Sequence, residues 1–587
     1  MARTIPTCNR ITQRRVAAQA VFMRLSLMTH FHISAGLALA AVLSGCATAA
    51  PPVAVQAQIS SYGLFLAGKG ALAEGQNRDA VEFFSRAKDL ADDSEGLVGE
   101  QLFASSLLAG DVTRAASVVP LSHNNDGQNF GIVVQGVEAL AKGDIKVGRA
   151  LLSPARTPYP HKLLAVLLSP WAAAMAGDAQ ASVVRPRSVG DKIVDYFGLL
   201  GQARLYERAR RYDEAETDFK LLAGGDDPSV VSVLAYGGFL ERRGRQSDAR
   251  ALYDRALALN PLDSQLEAAQ ARVRAGVGRP PAALTLKQGA AEAVMGPAIA
   301  IAAAKQNQMA LAYLRLALRL DPGLNTAWIL VGDLLQDSGD REGARQAYAM
   351  PKPGSPEYQS AQSKLAWSYQ AAKDPTTALN LARALAATGD PSAKLNLADL
   401  LRANEKYAES AQILTDIMGS APNWRLLFAR GVALDRAGRW AEGEADLQAA
   451  LKLQPESAEI LNYLGYSWID QGQHLEAALD MVQKAVGQNP RSGAMVDSLG
   501  WAYFRLGDFK KAVETLENAI ELEAGDPDIN NHLGDAYWRV GRRDEAVFQW
   551  HRVLTLEPDA KMKIEVEKKL SSGLTDIAVS STPKGDD

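Results

Sequence analysis

The chain has 587 residues, 47% of them hydrophobic and 22% charged, with a formal charge of -4. That length is more than one hydrophobic core serves, so several domains or a repeat array is expected. The first 45 residues carry five arginines and no acid; beyond them 58 basic residues face 67 acidic ones, a balance of -9 that excludes a basic nucleic-acid binder.

The N-terminal element is an apolar run over residues 33–45, ISAGLALAAVLSG. Thirteen residues are too few to span a bilayer as a helix, which takes about 20. The run has the length of a signal-peptide core, with basic residues before it and small ones at its end. Leu43-Ser44-Gly45-Cys46 closes it and holds the second of only two cysteines. This stretch resembles the lipobox of bacterial lipoproteins. The resemblance implies a signal peptide over 1–45, acylation (palmitate-type) at Cys46, and a lipid anchor and tether over 46–60. Ala47, where inner-membrane retention favours aspartate, implies the outer membrane. Met23 would open a signal peptide of more usual length. Once Cys8 is removed with the leader, no intrachain disulfide is available.

From Ser61 onward the sequence resembles itself. SLGWAYFRLGDFKKAVETLENAI (498–520) aligns with HLGDAYWRVGRRDEAVFQWHRVL (532–554), and Gly500 and Gly534 are 34 residues apart. Gly431 and Gly465, Ala298 and Gly332, and Ala203 and Gly237 share that spacing. Within a unit a small residue is followed by a large one (Gly500, Tyr503), a turn glycine (Gly507), then alanine, a large residue and alanine (Ala512, Leu516, Ala519), with proline often near the end. Val496, Leu499, Tyr503 and Leu506 recur at helical spacing, so each unit is two amphipathic helices that must stack on neighbours to bury their apolar faces. The pattern resembles the tetratricopeptide repeat (TPR). The resemblance implies an all-α, right-handed superhelical solenoid of helix-turn-helix repeats.

Clear units occupy 196–558, with shortened or degenerate ones near 268–305 and 389–421. Residues 61–195 read as degenerate hairpins: Gly68, Ala80, Phe84 and Ala87 are in register, and Gly110-Asp111, Gly143-Asp144 and Gly177-Asp178 repeat like inter-helix turns. Loops are expected at 120–131 and 153–161, and a short insertion at Lys352-Pro353-Gly354. A charged capping helix is expected at 559–573 and a disordered tail at 574–587.

No catalytic constellation stands out. Of seven histidines, no pair has metal-ligand spacing. His532 and His551 lie close enough in sequence to meet on one hairpin, with a surface or packing role. Gly68-Lys69-Gly70 lacks the rest of a phosphate loop, and no nucleophile elbow appears. The reading is a non-enzyme without cofactor, metal, nucleic acid or small-molecule substrate.

What remains is surface. In tetratricopeptide proteins the first helix of each unit lines the concave face. The resemblance carries that role to Trp367, Tyr466, Trp501 and Asp535, to Phe504 and Trp538 three residues on, and to Asn462, Asp497 and Asn531 one turn before. Arg505 and Arg539 adjoin them. Exposed tryptophans beside arginines are favoured interface anchors. Trp328, Trp440, Trp468 and Trp550 fall instead at packing positions. The family's carboxylate clamp is incomplete here, so a mixed apolar and polar polypeptide surface is expected. Anchor, tether and solenoid together resemble outer-membrane lipoproteins facing the periplasm that tether a carboxyl-terminal processing protease and present cell-wall hydrolases to it. The alternative is a structural part of an envelope export or assembly machine.

Overall fold

The computed structural model describes residues 60–90, 96–119, 125–226, 228–260, 263–276, 278–419 and 423–574. The leader, Cys46 and nearly all of the tether lie outside them, as does the tail from 575. Among the described residues every regular element is an α-helix, and none is long and apolar enough to cross a membrane. The helices run in antiparallel pairs, each packed mainly on its sequence neighbours.

Local chemistry sets the pairs. At the inter-helix turns Gly110 (φ 94°) and Gly177 (φ 76°) take up left-handed backbone, which a Cβ disfavours. The aspartate that follows caps the next helix: Asp111 accepts from the Arg114 N–H at 2.9 Å and Asp178 from the Ala181 N–H at 3.0 Å. The helices then cross at a glycine. A Cβ on Gly237 would stand 2.3 Å from the Tyr253 ring, one on Gly332 2.3 Å from Tyr348, and one on Gly534 2.5 Å from Trp550. The small residue of the repeat is therefore the socket for the large residue of the second helix.

The chain divides into two compact units with a boundary at Leu400–Leu401. In the unit 60–400, hairpins do more than stack in order. The hairpin 286–320 packs against five earlier helices, Leu97–Ala109, Val112–Ser117, Asn125–Lys142, Lys162–Met175 and Lys192–Arg208. Gly289 admits Trp171 so closely that a Cβ would meet its ring at 2.0 Å. Arg319 donates to both oxygens of Glu138 (2.7 and 3.2 Å), and Lys287 Nζ donates to the Ala141 carbonyl at 2.8 Å. Tyr313 and His161 share a hydrogen bond of 2.7 Å, with the Phe130 ring stacked on both. The hairpins with the weakest consensus are thus held by residues far along the chain.

One sequence expectation changes here and another takes definite form. The loop expected at 120–131 is helical from Asn125, because Phe130, Val133, Val134, Val137 and Leu140 form one buried face of the helix Asn125–Lys142. The shortened or degenerate unit expected near 268–305 is a lone helix, Ser264–Ala275, followed by irregular backbone and then the long hairpin 286–320. Residues 153–161 and 351–357 lie between helices, as expected.

In the unit 401–574 the pairs follow one another in chain order. Its core is built on Ile469, Val482, Leu516, Leu533, Trp550 and Val566. The last helix, Ala560–Ser572, is charged on its outer side but buries Val566 and Lys569. It acts as half of a further repeat.

Candidate protein-binding stripe

In the unit 401–574, the last four first helices lie in succession: Ala458–Gln471, Gly493–Arg505, Pro527–Arg539 and Ala560–Ser572. Each starts on a side-chain cap from Ser457, Ser492, Asp526 or Asp559. Their stripe residues therefore recur in register, one repeat apart.

The structure brings most of the expected residues together, but it buries them. Trp501 is 5% exposed and Phe504 2%, so they do not form the exposed aromatic surface the sequence led us to expect. Their rings stack 4.6 Å apart, and Trp501 stacks in turn on His532 at 4.1 Å. His532 Nδ1 lies 3.0 Å from both oxygens of Asp497. Burial alone would push the imidazole pKa down; the Asp497 carboxylate overrides this, with Asp528 and Asp535 adding to it, and raises it to about 9. His532 is thus a buried imidazolium clamped between a carboxylate and an indole. His551 is exposed on the second helix and does not meet it.

One repeat further on, Lys569 Nζ donates to Asn531 Oδ1 (2.9 Å) and to Asp535 Oδ2 (2.8 Å). The Trp550 indole N–H donates to the other Asp535 oxygen at 3.0 Å. Asp497, Asn531 and Asp535 are thus spent on their neighbours, all three buried. The physical reason is the tight spacing of successive first helices: a side chain at this position reaches the next repeat before it reaches solvent.

Half-exposed residues remain. Tyr466 sits with its ring 6.4 Å from His532, and burial drives its phenol upward. Asn462 keeps a buried amide oxygen without a hydrogen bond. Arg505 donates to the Asp470 carbonyl at 2.6 Å. Trp538 lies on Trp550 (5.2 Å) and under the Arg543 guanidinium (4.2 Å), and Arg539 stands over Phe509 at 6.0 Å. Trp367 belongs to the unit 60–400, where it is half-buried and its indole N–H donates to Asn396 at 2.8 Å. Of the tryptophans expected at packing positions, Trp550 is fully buried and Trp328, Trp440 and Trp468 are half-buried. Sequence reasoning missed the part played by Lys569. Its signal was the period itself, because it stands 34 residues after Asp535.

Among the described residues no cluster of His, Cys, Asp or Glu could hold a metal ion. Models of the tetratricopeptide repeat match residues 200–264, 363–423 and 428–492, and a TPR-repeat model matches 500–541. Over these residues the chain carries tetratricopeptide repeats. A TPR repeat-containing protein of Pseudomonas aeruginosa is 24% identical over 215 residues, 36% of each chain. A probable UDP-N-acetylglucosamine–peptide N-acetylglucosaminyltransferase, SPINDLY, of Hordeum vulgare is 25% identical over 166 residues, 28% of this chain and 18% of that one. The chain thus spans about a third or less of the length of these relatives. Among solved structures, the Cut9 and Hcn1 hetero-tetramer of the APC/C aligns with 88% of this chain and 96% of the other, at 16% identity and a TM-score of 0.39. The tetratricopeptide solenoid of this protein is a binding architecture, typically without catalysis of its own.

Proposed function

We propose that this tetratricopeptide-repeat protein is a lipid-anchored adaptor of the outer membrane, facing the periplasm. On this reading it tethers a carboxyl-terminal processing protease and presents cell-wall hydrolases to it. The observation that carries the proposal is the order of features along one chain. Leu43-Ser44-Gly45-Cys46 ends a short apolar run, and helical hairpins follow from Ser61 to Ser572. Two or more acyl chains on Cys46 give stable anchoring where one gives only marginal binding. Stacked hairpins supply a long, rigid surface that needs no chemistry of its own. Partner contact falls to the half-exposed rim, Tyr466, Arg505, Trp538 and Arg539, rather than to the buried Trp501 and Phe504.

The test pairs two experiments on the full-length protein. Labelled palmitate and a membrane density gradient are applied to wild type and Cys46→Ala. Label and outer-membrane flotation are both expected to disappear in the variant; an unchanged gradient profile would sink the anchor. Affinity capture from detergent-solubilised envelopes is then run with wild type and Tyr466→Ala/Arg505→Ala. A protease and hydrolases held by the first and lost from the second support the adaptor reading. Capture of neither, from either bait, overturns it.

A further inference from the structure

Within the unit 60–400 the hairpins 192–223 and 230–259 and the helix Ser264–Ala275 place arginine at every inter-helix turn along one edge. Lateral ion pairs show that the turns are neighbours. Arg242 donates to both oxygens of Glu207 (2.7 and 2.9 Å), and Arg272 to both oxygens of Glu241 (2.9 and 2.7 Å). Arg243 lies 3.7 Å over the ring of Tyr212, the residue that opens the adjoining hairpin's second helix. Residues 278–285 run along the same edge, since Arg242 donates to the Pro281 carbonyl at 2.8 Å and Arg208 to the Leu284 carbonyl at 3.4 Å.

Four acids on this edge are already engaged, while Asp213 stays exposed. Glu207 and Glu241 are taken as above, Glu214 by Arg211 and Asp248 by Arg245. A second set of arginines remains: Arg208, Arg210, Arg243, Arg274 and Arg279 are exposed, and none meets a carboxylate among the described residues. Some of this charge complements the C-terminal ends of the first helices. One arginine per helix end serves that purpose; here each turn carries two or three. The surplus stands out on a chain that is acidic overall.

We infer that this edge is a docking surface for an acidic polypeptide segment, a run of Asp and Glu laid across three successive turns. Guanidinium groups hold carboxylates in paired hydrogen bonds, and arginines in series without a carboxylate partner match an extended acidic run. A membrane surface fits less well. Membrane-seeking basic surfaces carry large apolar side chains beside the charge. The exposed apolar residues of these hairpins, Leu221, Val231 and Leu259, lie at the opposite ends of their helices. The inference does not depend on the lipid anchor or on any envelope partner.

The test uses the full chain in neutral detergent and a fluorescein-labelled peptide of glutamates, read by anisotropy. Wild type is expected to bind at low salt and to release as salt rises. Arg210→Glu/Arg243→Glu/Arg274→Glu is expected to weaken binding at least about tenfold. Lys305→Glu/Lys373→Glu/Arg491→Glu makes the same change in net charge elsewhere and is expected to leave binding within about twofold. Circular dichroism melts show that both variants fold. Equal loss in the two variants would reduce the effect to net charge and overturn the assignment. So would wild type that ignores the peptide, or that binds phosphatidylglycerol vesicles and not the peptide.

Discussion

Trp501→Ala separates the two roles that a tryptophan at this position can have. A surface anchor costs binding when removed and leaves the fold intact. The structure places the indole in the packed layer, 5% exposed, between Phe504 at 4.6 Å and His532 at 4.1 Å. Truncating a buried Trp costs about 3–5 kcal/mol, including roughly 0.5–1.5 kcal/mol for the aromatic pairing. The indole N–H has no hydrogen-bond partner, so no polar contact is lost to raise the figure. For a unit of this size each kcal/mol moves the midpoint by about 2–4 °C, so a fall of roughly 6–20 °C is expected. The assay is hydrogen exchange with mass spectrometry across a thermal ramp. It assigns the transition to residues 401–574 and needs no two-state assumption for the whole chain. A loss below about 1 kcal/mol, with an unchanged midpoint, would refute the reasoning and return Trp501 to the surface.

The clamp on His532 predicts a pH dependence. Its folded pKa of about 9 lies above the ordinary 6.5, so its contribution is complete below 6.5 and is lost as pH rises through 9. The midpoint for residues 401–574 is expected to fall over that window, and Asp497→Asn to flatten the fall; a variant with the wild-type profile would refute the clamp. Lys569→Met leaves Asp535 buried without its cation and is expected to cost about 3–5 kcal/mol by denaturant titration of the same unit. Two glycine substitutions are expected to have opposite signs. Gly237→Ala drives a methyl into Tyr253 and costs about 1–3 kcal/mol, whereas Gly70→Ala meets nothing within 4 Å and gains about 0.5–1 kcal/mol, both read as shifts in melting of residues 60–400.

Much of this fold was legible because the repeat encodes it locally. Gly332 and Tyr348 announce a crossing of two helices, and Asp111 after Gly110 announces a turn and a cap. These signals act within a few turns of chain, so they survive in a single sequence. What could not be read is contact over long separations. Nothing around Glu138 points to Arg319, and nothing around Trp171 points to Gly289. The exposure expected of Trp501 and Phe504 failed on the same ground. The positions of Trp501 and Asp535 on their helices follow from the period, but their burial depends on how closely the next repeat approaches. That distance is set by packing between helices, not by the pattern along one. His532 offered no pattern to read, since its partner Asp497 lies in the previous repeat and forms no motif with it.

The return of residues 286–320 onto 97–208 has a mechanical meaning. In a plain stack, pulling on one end peels hairpins away singly, each at a modest force, and the chain lengthens in short steps. Residues 401–574, paired in order, would give way in that manner. The unit 60–400 would not, because Glu138 holds Arg319 and His161 holds Tyr313 across long stretches of intervening chain. Such latches carry load together. They would fail together as well, releasing most of the unit in a single long extension. Under tension, the protein would behave as a compliant segment joined in series to a stiff one.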